Sequence, residues 1–294
     1  MILIVGATGN LGGFVARQLI AKGHPVRAMT RDRTRATALE AIGAEVVTGD
    51  LRDPESLRAA TRGARAVVSA SHSILGAGKS SSAHVDDEGQ RALIAAAKEA
   101  GVAHFIFTSI MDAAANHPVD FWRTKDKIEK HLESSGLRYT IVRPSAFMEI
   151  HAYELLGKAV MAGKRVMMFG PGNNPRNFVA SEDVAKLIVR ALEDVSFRGK
   201  TIPIGGPENL TDNQVVEVFE RVAGRTASVT HIPLPFLKAI SGVVQAFHPG
   251  VSRIIKSGIA NETTDQTFDY RTVPSEYSVE LTKLEDWARS RAQA

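Results

Sequence analysis

The sequence predicts an α/β fold of the Rossmann type: a doubly wound parallel sheet with a smaller, interleaved C-terminal lobe. Three observations predict it. A glycine-punctuated turn joins an apolar run to a helical pattern at the start of the chain. Short apolar runs then alternate with helical patterns, and glycines stand where five of those helices must end. With 294 residues, 44% hydrophobic and 23% charged, the chain has enough apolar material for one large domain with a smaller lobe, and disorder is excluded.

The first strand is the apolar run Ile2–Val5, followed by Gly6-Ala-Thr-Gly9-Asn-Leu-Gly12. Gly6 permits the sharp turn, Gly9 lets a pyrophosphate approach the backbone, and Gly12 lets the helix over 10–22 pack on the strand. That helix presents free N–H groups and its positive end to an anion, so Gly6, Thr8, Gly9, Asn10, Leu11 and Gly12 form the expected phosphate cradle. Val26–Thr30 is the second strand and 35–42 the second helix. Glu45–Thr48, the helix Pro54–Thr61, Ala66–Ser69 and a helix over 86–99 continue the alternation. Strands over 105–108, 139–142 and 201–204, with helices over 121–134 and 183–192, complete it. Gly23, Gly43, Gly63, Gly101 and Gly136 occupy the expected C-terminal caps. From Ser145 the rhythm becomes irregular, although 213–222 and Leu234–Phe247 read as helices, and the last ~70 residues carry no assignable motif. The predicted partition is a dinucleotide-binding domain over 1–145 with contributions from about 176–206, and a substrate or partner lobe over 146–175 and 207–294.

Composition narrows the chemistry. No cysteine is present, which removes disulfides, thiolate metal sites and cysteine nucleophiles. The nine histidines show no metal-ligand spacing, so no metal is expected. No stretch approaches the ~18 to 20 apolar residues of a membrane span, and no leader precedes the first strand, so the expected compartment is the cytoplasm without a membrane partner. A net charge of +4 is modest, and the cluster Arg27, Arg31, Arg33, Arg35 lacks the interleaved aromatics of a nucleic-acid surface. A small phosphorylated ligand suits it better. Gly78-Lys79-Ser80 imitates a phosphate loop, but Ser73 stands where the Walker spacing needs glycine; the span 71–84 reads instead as a mobile loop beside the ligand.

The strand ends carry the specificity. An acidic residue at the end of the second strand would hold a ribose hydroxyl, whereas arginine there favours a 2′-phosphate. Thr30 occupies that place and Arg31 follows, so NADP(H) is preferred, with Asp32 leaving NAD(H) possible. Asp50 and Leu51, after the third strand, are placed at the adenine, and Ser69 closes the fourth strand at the same edge.

Gly6-Ala-Thr-Gly9-Asn-Leu-Gly12, Gly49-Asp50-Leu51, Thr108-Ser109, Lys125 with Glu129, Tyr139-Thr-Ile-Val-Arg143-Pro144 and Asp183-Val-Ala together resemble the atypical short-chain dehydrogenase/reductase superfamily. Within it the chain most resembles the NmrA-like, NAD(P)H-binding branch, near quinone and isoflavone reductase-like proteins, from residue 1 to about residue 225. The resemblance implies an extended Rossmann fold that binds NADP(H), acting as a reductase or as a dinucleotide-sensing regulator. It further implies Lys125 as the group that holds the nicotinamide ribose and polarises the acceptor, and Ser109 as the group that orients it. The departure lies at Phe121, four residues before Lys125, where orthodox members carry a tyrosine acid/base. A phenyl ring transfers no proton, so tyrosinate-type alcohol oxidation is not expected. Quinone- or enone-like acceptors need less proton help and suit such a site; the other reading is a silent NADP(H) sensor acting on a protein partner. The oligomeric state is left open by the sequence.

Overall fold

The computed structural model describes residues 1–292. Its strands are β1 (Ile2–Val5), β2 (Val26–Thr30), β3 (Glu45–Thr48), β4 (Ala66–Ser69), β5 (His104–Thr108), β6 (Tyr139–Pro144), β7 (Ala146–Phe147), β8 (Val166–Phe169), β9 (Arg176–Val179), β10 (Lys200–Ile204), β11 (Asn209–Leu210) and β12 (Val229–Ile232). The α-helices are α1 (Asn10–Ala21), α2 (Thr37–Ala41), α3 (Pro54–Thr61), α4 (Gly89–Glu99), α5 (Asp120–Glu133), α6 (Lys158–Met161), α7 (Ser181–Glu193), α8 (Asp212–Ala223), α9 (Leu234–Phe247), α10 (Pro249–Thr263) and α11 (Leu284–Ala292).

Seven strands form one sheet in the order β10-β6-β5-β4-β1-β2-β3. The pairs β1–β2, β1–β4, β2–β3, β4–β5 and β5–β6 are all parallel. Every residue of β1, β4 and β5 is buried, as a sheet covered on both faces requires. Strand order reverses direction between β1 and β4, and Val5 lies in register with both Met29 and Ser69, so their carboxyl ends open together at the switch point. The five predicted helix-ending glycines all adopt positive φ, from +69° to +102°.

The chain divides into two compact units, Met1–Arg143 with Val184–Pro203, and Pro144–Asp183 with Ile204–Ala294. Residues 176–183 therefore leave the dinucleotide domain to which the sequence reading assigned them. The cause is strand pairing: β9 hydrogen-bonds to β7 and β11 in a separate three-stranded sheet. The second unit packs Met148, Leu156, Phe178, Val215, Phe219 and Trp287 into its own core. Several of its elements escaped the sequence reading: the π-helical stretch Met148–Gly157, α6, α10, α11 and the short strands β7, β8, β9, β11 and β12. Gly250 and Gly258 interrupt the apolar pattern of α10, and a π-helical stretch departs from the 3.6-residue repeat by which helices are read. No helix among the described residues is long and apolar enough to cross a membrane.

One buried polar chain makes the first unit acid-sensitive. Thr140 Oγ1 donates to the Phe197 carbonyl at 2.8 Å, so it accepts from His104 Nε2 at 2.9 Å, and β5, β6 and the turn before β10 are tied together. Burial, then the Arg198 charge, pushes the His104 imidazole down from 6.5 to about 4. A base whose folded pKa is depressed stabilises the fold fully above its unfolded value and loses that contribution as pH falls towards the folded value. Between pH 7.5 and pH 4.5 this group should remove about 2.5 kcal/mol of stability. Denaturant unfolding of the wild type and His104→Gln at both pH values checks this: the variant should start less stable and lose less on acidification.

Candidate functional site

The turn after β1 is built for close backbone approach. Gly6 has φ +88°, and a Cβ there would lie 2.9 Å from the backbone of Ala70 and Ser71, the exit from β4. A Cβ on Gly12 would overlap the Gly6 carbonyl oxygen and stand 2.8 Å from its carbon, so only glycine lets α1 sit this near the turn. Gly9 is the N-cap of α1, with no side-chain cap and no acidic residue in the first turn. By contrast, Asp53 caps α3 and Glu55 sits in its first turn. Gly13 N donates to Gly9 O at 2.8 Å, so the amides of Asn10, Leu11 and Gly12 lie ahead of the helical ladder, where an anion would find them.

Beside this turn, at the carboxyl ends of β1 to β3, lies a cavity of about 600 Å³. The structure brings Gly6, Thr8, Arg31, Asp50 and Leu51 to its wall, all of them predicted contacts. Arg35, Arg52, Ser71 and His72 join them without having been assigned there. The four-arginine cluster is divided by its partners. Arg27 pairs with Glu45 and donates to the Ala60 and Arg62 carbonyls, while Arg33 pairs with Glu40 and donates to the Val46 carbonyl. The guanidiniums of Arg31 and Arg35 make no hydrogen bond or ion pair among the described residues, and both residues line the cavity. Two free guanidiniums here can grip a phosphate bidentately.

The nearby carboxylates are already engaged. Asp32 Oδ1 accepts from Thr34 N at 3.0 Å and from Thr34 Oγ1 at 2.6 Å, bonds that hold its carboxyl below the usual range. The Thr30 hydroxyl donates to Asp32 O at 3.0 Å and shapes the same turn. Asp50 is gripped by Arg52, whose Nε donates to it at 2.9 Å, and this hydrogen bond lowers the Asp50 pKa. Ser69 faces away from the cavity: its hydroxyl donates to Gln90 Oε1 at 2.8 Å and braces β4 on α4. Ser69 does not line the cavity, whereas Ser71, beyond the end of β4, does.

The second cluster stands at the carboxyl end of β5. Lys125, on α5, is buried, and its Nζ donates to Thr108 O at 3.0 Å. The ammonium also lies 4.7 Å from the Phe107 ring centroid and 5.5 Å from that of Phe121. Burial pushes its pKa below the usual lysine range, opposed by the charges of Asp86 and Glu129. Glu129 itself is taken by Arg143, whose Nε donates to it at 3.0 Å, and Lys125 makes no ion pair among the described residues. The hydroxyls of Ser71, Thr108 and Ser109 are buried without a hydrogen-bond partner. Lys125 and Ser109 do not line the cavity. His72 links the two clusters, since it lines the cavity and sets its ring 6.1 Å from Phe121, edge to face.

Free guanidiniums, an uncapped helix start and three orphaned hydroxyls fit a phosphate-bearing dinucleotide better than an apolar ligand. The decoy Gly78-Lys79-Ser80 is a single 3₁₀ turn, and the Lys79 carbonyl accepts from Arg52 at 3.3 Å.

The sequence profile of the NmrA-like family matches residues 1–288. The chain is 31% identical to the photosystem II assembly factor Ycf39 of Trieres chinensis, covering 97% of this chain and 91% of that protein. It is 32% identical to the NAD(P)H azoreductase of Xenophilus azovorans, covering 83% of this chain and 81% of that one. The NADPH complex of the NADPH-dependent quinone oxidoreductase QOR2 from Escherichia coli superposes with a TM-score of 0.80 at 23% identity over the whole of both chains. At that identity the likeness to QOR2 is one of fold.

Proposed function

The chain belongs to the NmrA-like family, and from that premise we propose that it is an NADPH-dependent reductase of a small conjugated acceptor, quinone-like or azo-like. The observation that carries this reading is the buried Lys125 ammonium, with no ion-pair partner among the described residues, beside the orphaned hydroxyls of Thr108 and Ser109. A cation kept desolvated and free of a counter-ion suits a developing oxyanion. The azoreductase relative supports the azo-like class, and the quinone-like class rests on the resemblance drawn from the sequence motifs.

In this reading the Asn10, Leu11 and Gly12 amides hold the diphosphate, and Arg31 with Arg35 holds the 2′-phosphate. Lys125 anchors the nicotinamide ribose, and Ser109 orients the acceptor. When bound, the reduced nicotinamide supplies hydride. The residues of this chain then bind, orient and neutralise charge, and Phe121 in the tyrosine place transfers no proton.

Purified protein mixed with NADPH and a panel of quinones and azo dyes, followed at the nicotinamide absorbance band, tests the proposal. Lys125→Met should lower turnover about a hundredfold, the scale expected for removing one preorganised oxyanion donor. A second reading, an NADP(H)-responsive regulator of a protein partner, is favoured by Phe121 and by the assembly-factor relatives. Tight NADPH binding with no consumption across the panel would select it and dismiss the reductase.

A further inference from the structure

We propose that His72 is the proton donor of this site, delivering to the acceptor the proton that Phe121 cannot; the inference rests on the reductase reading. Its first support is place. His72 follows the end of β4, lines the cavity, and lies edge to face against Phe121, ring centroids 6.1 Å apart at 71°. Phe121 in turn has the Lys125 ammonium 5.5 Å from its centroid. An imidazole therefore stands one ring away from the position where the orthodox pattern has a phenol.

The second support is that its ring is uncommitted. His24, His84, His104, His117, His131, His231 and His248 each hold a protein group by a ring hydrogen bond. Neither ring nitrogen of His72 does so among the described residues, and the side chain is exposed to the cavity. Its backbone is nonetheless fixed, because Ser73 N donates to both oxygens of the buried Asp86 carboxylate at 3.1 Å. A fixed turn carrying a free imidazole is the arrangement that general acid catalysis requires.

The charged groups facing His72 are Lys125 from α5 and Asp86 from the π-helical stretch Ala83–Glu88 that leads into α4. Enclosure by surrounding protein, then the Lys125 charge, holds the imidazole below its ordinary value, and Asp86 opposes them. The imidazolium is thus a stronger acid than free histidine. In the step, its N–H bond breaks and an O–H bond forms on a quinone oxygen as the quinone accepts hydride, two electrons with one hydrogen, from reduced nicotinamide. The products are hydroquinone and oxidised nicotinamide, and the neutral imidazole regains its proton from solvent.

Because the protonated form acts, turnover should rise as pH falls from about 8 to about 5. Wild type and His72→Gln are compared with NADPH and a quinone over that range. The variant is expected to lose at least tenfold in kcat and its pH dependence, with unchanged melting temperature. A readout without turnover accompanies it: the imidazole NMR resonance missing from the variant should titrate below the ordinary histidine range and shift when hydroquinone is added. Wild-type kcat and pH profile in the variant, or a resonance indifferent to hydroquinone, overturns His72 as donor while sparing the reductase. A wild type that reduces no quinone or azo acceptor overturns both.

Discussion

Gly12→Val is expected to abolish NADPH binding, with no calorimetric heat at concentrations that saturate the wild type. The Cβ alone would overlap the Gly6 carbonyl oxygen and press within 3.0 Å of Ala7 Cα, both backbone atoms that no rotamer change can relieve. Either α1 shifts outward or the β1 turn opens, and each movement displaces the amides of Asn10, Leu11 and Gly12 from the cradle at once. Overpacking of this kind costs typically 1 to 3 kcal/mol, so the melting temperature should also fall by several degrees. Gly9→Ala separates the two effects. There the nearest contact of an added Cβ is a single oxygen, Gly6 O, at 3.3 Å, so the fold should persist while NADPH affinity drops about tenfold through crowding of the phosphate approach. A folded Gly12→Val protein that binds NADPH as the wild type does would remove the phosphate cradle from the account.

Alanine at both Arg31 and Arg35 is expected to weaken NADPH about a thousandfold and NADH less than threefold. A hydrogen bond to a charged group contributes about 1.5 to 3 kcal/mol, and two guanidiniums would address one phosphate. Neither guanidinium has a hydrogen-bond or ion-pair partner among the described residues, so truncation leaves no buried partner stranded and the loss reports on the ligand. Arg52 is the internal control: it lines the same cavity but is spent on Asp50, so Arg52→Ala should not alter the preference between the two cofactors. The NADPH affinity of the wild type should also weaken with added salt more than that of the double variant. Equal losses for NADPH and NADH in the double variant would show that the 2′-phosphate is not read here.

Much of the fold and of the candidate site can be read from the sequence. The order of strands and helices in the first unit follows from local signals, because a parallel strand buried on both faces reads as a near-continuous apolar run and a helix that turns sharply into the next strand favours a left-handed glycine cap. The cradle glycines were legible for the same reason, since close backbone contact leaves no other residue type. Phe121 was visible as a departure, and with it the question of where a proton comes from.

Partnership was not legible. Arg27, Arg31, Arg33 and Arg35 are alike as letters; only the return of Glu45 and Glu40 beside two of them leaves the other pair for a ligand. Ser69 reads as a strand-end hydroxyl facing the cofactor until Gln90 takes it, and Glu129 reads as the partner of Lys125 until Arg143 arrives from β6. His72 is one of nine histidines in the sequence, and becomes distinct only where the exit from β4 meets α5. The sequence by itself determined backbone geometry, because backbone demands are local and exclude residue types outright. Tertiary structure alone decided which charged and polar side chains are spent and which are free, because that depends on groups that chain folding brings from 7 to 21 positions away, too far for any local pattern to encode.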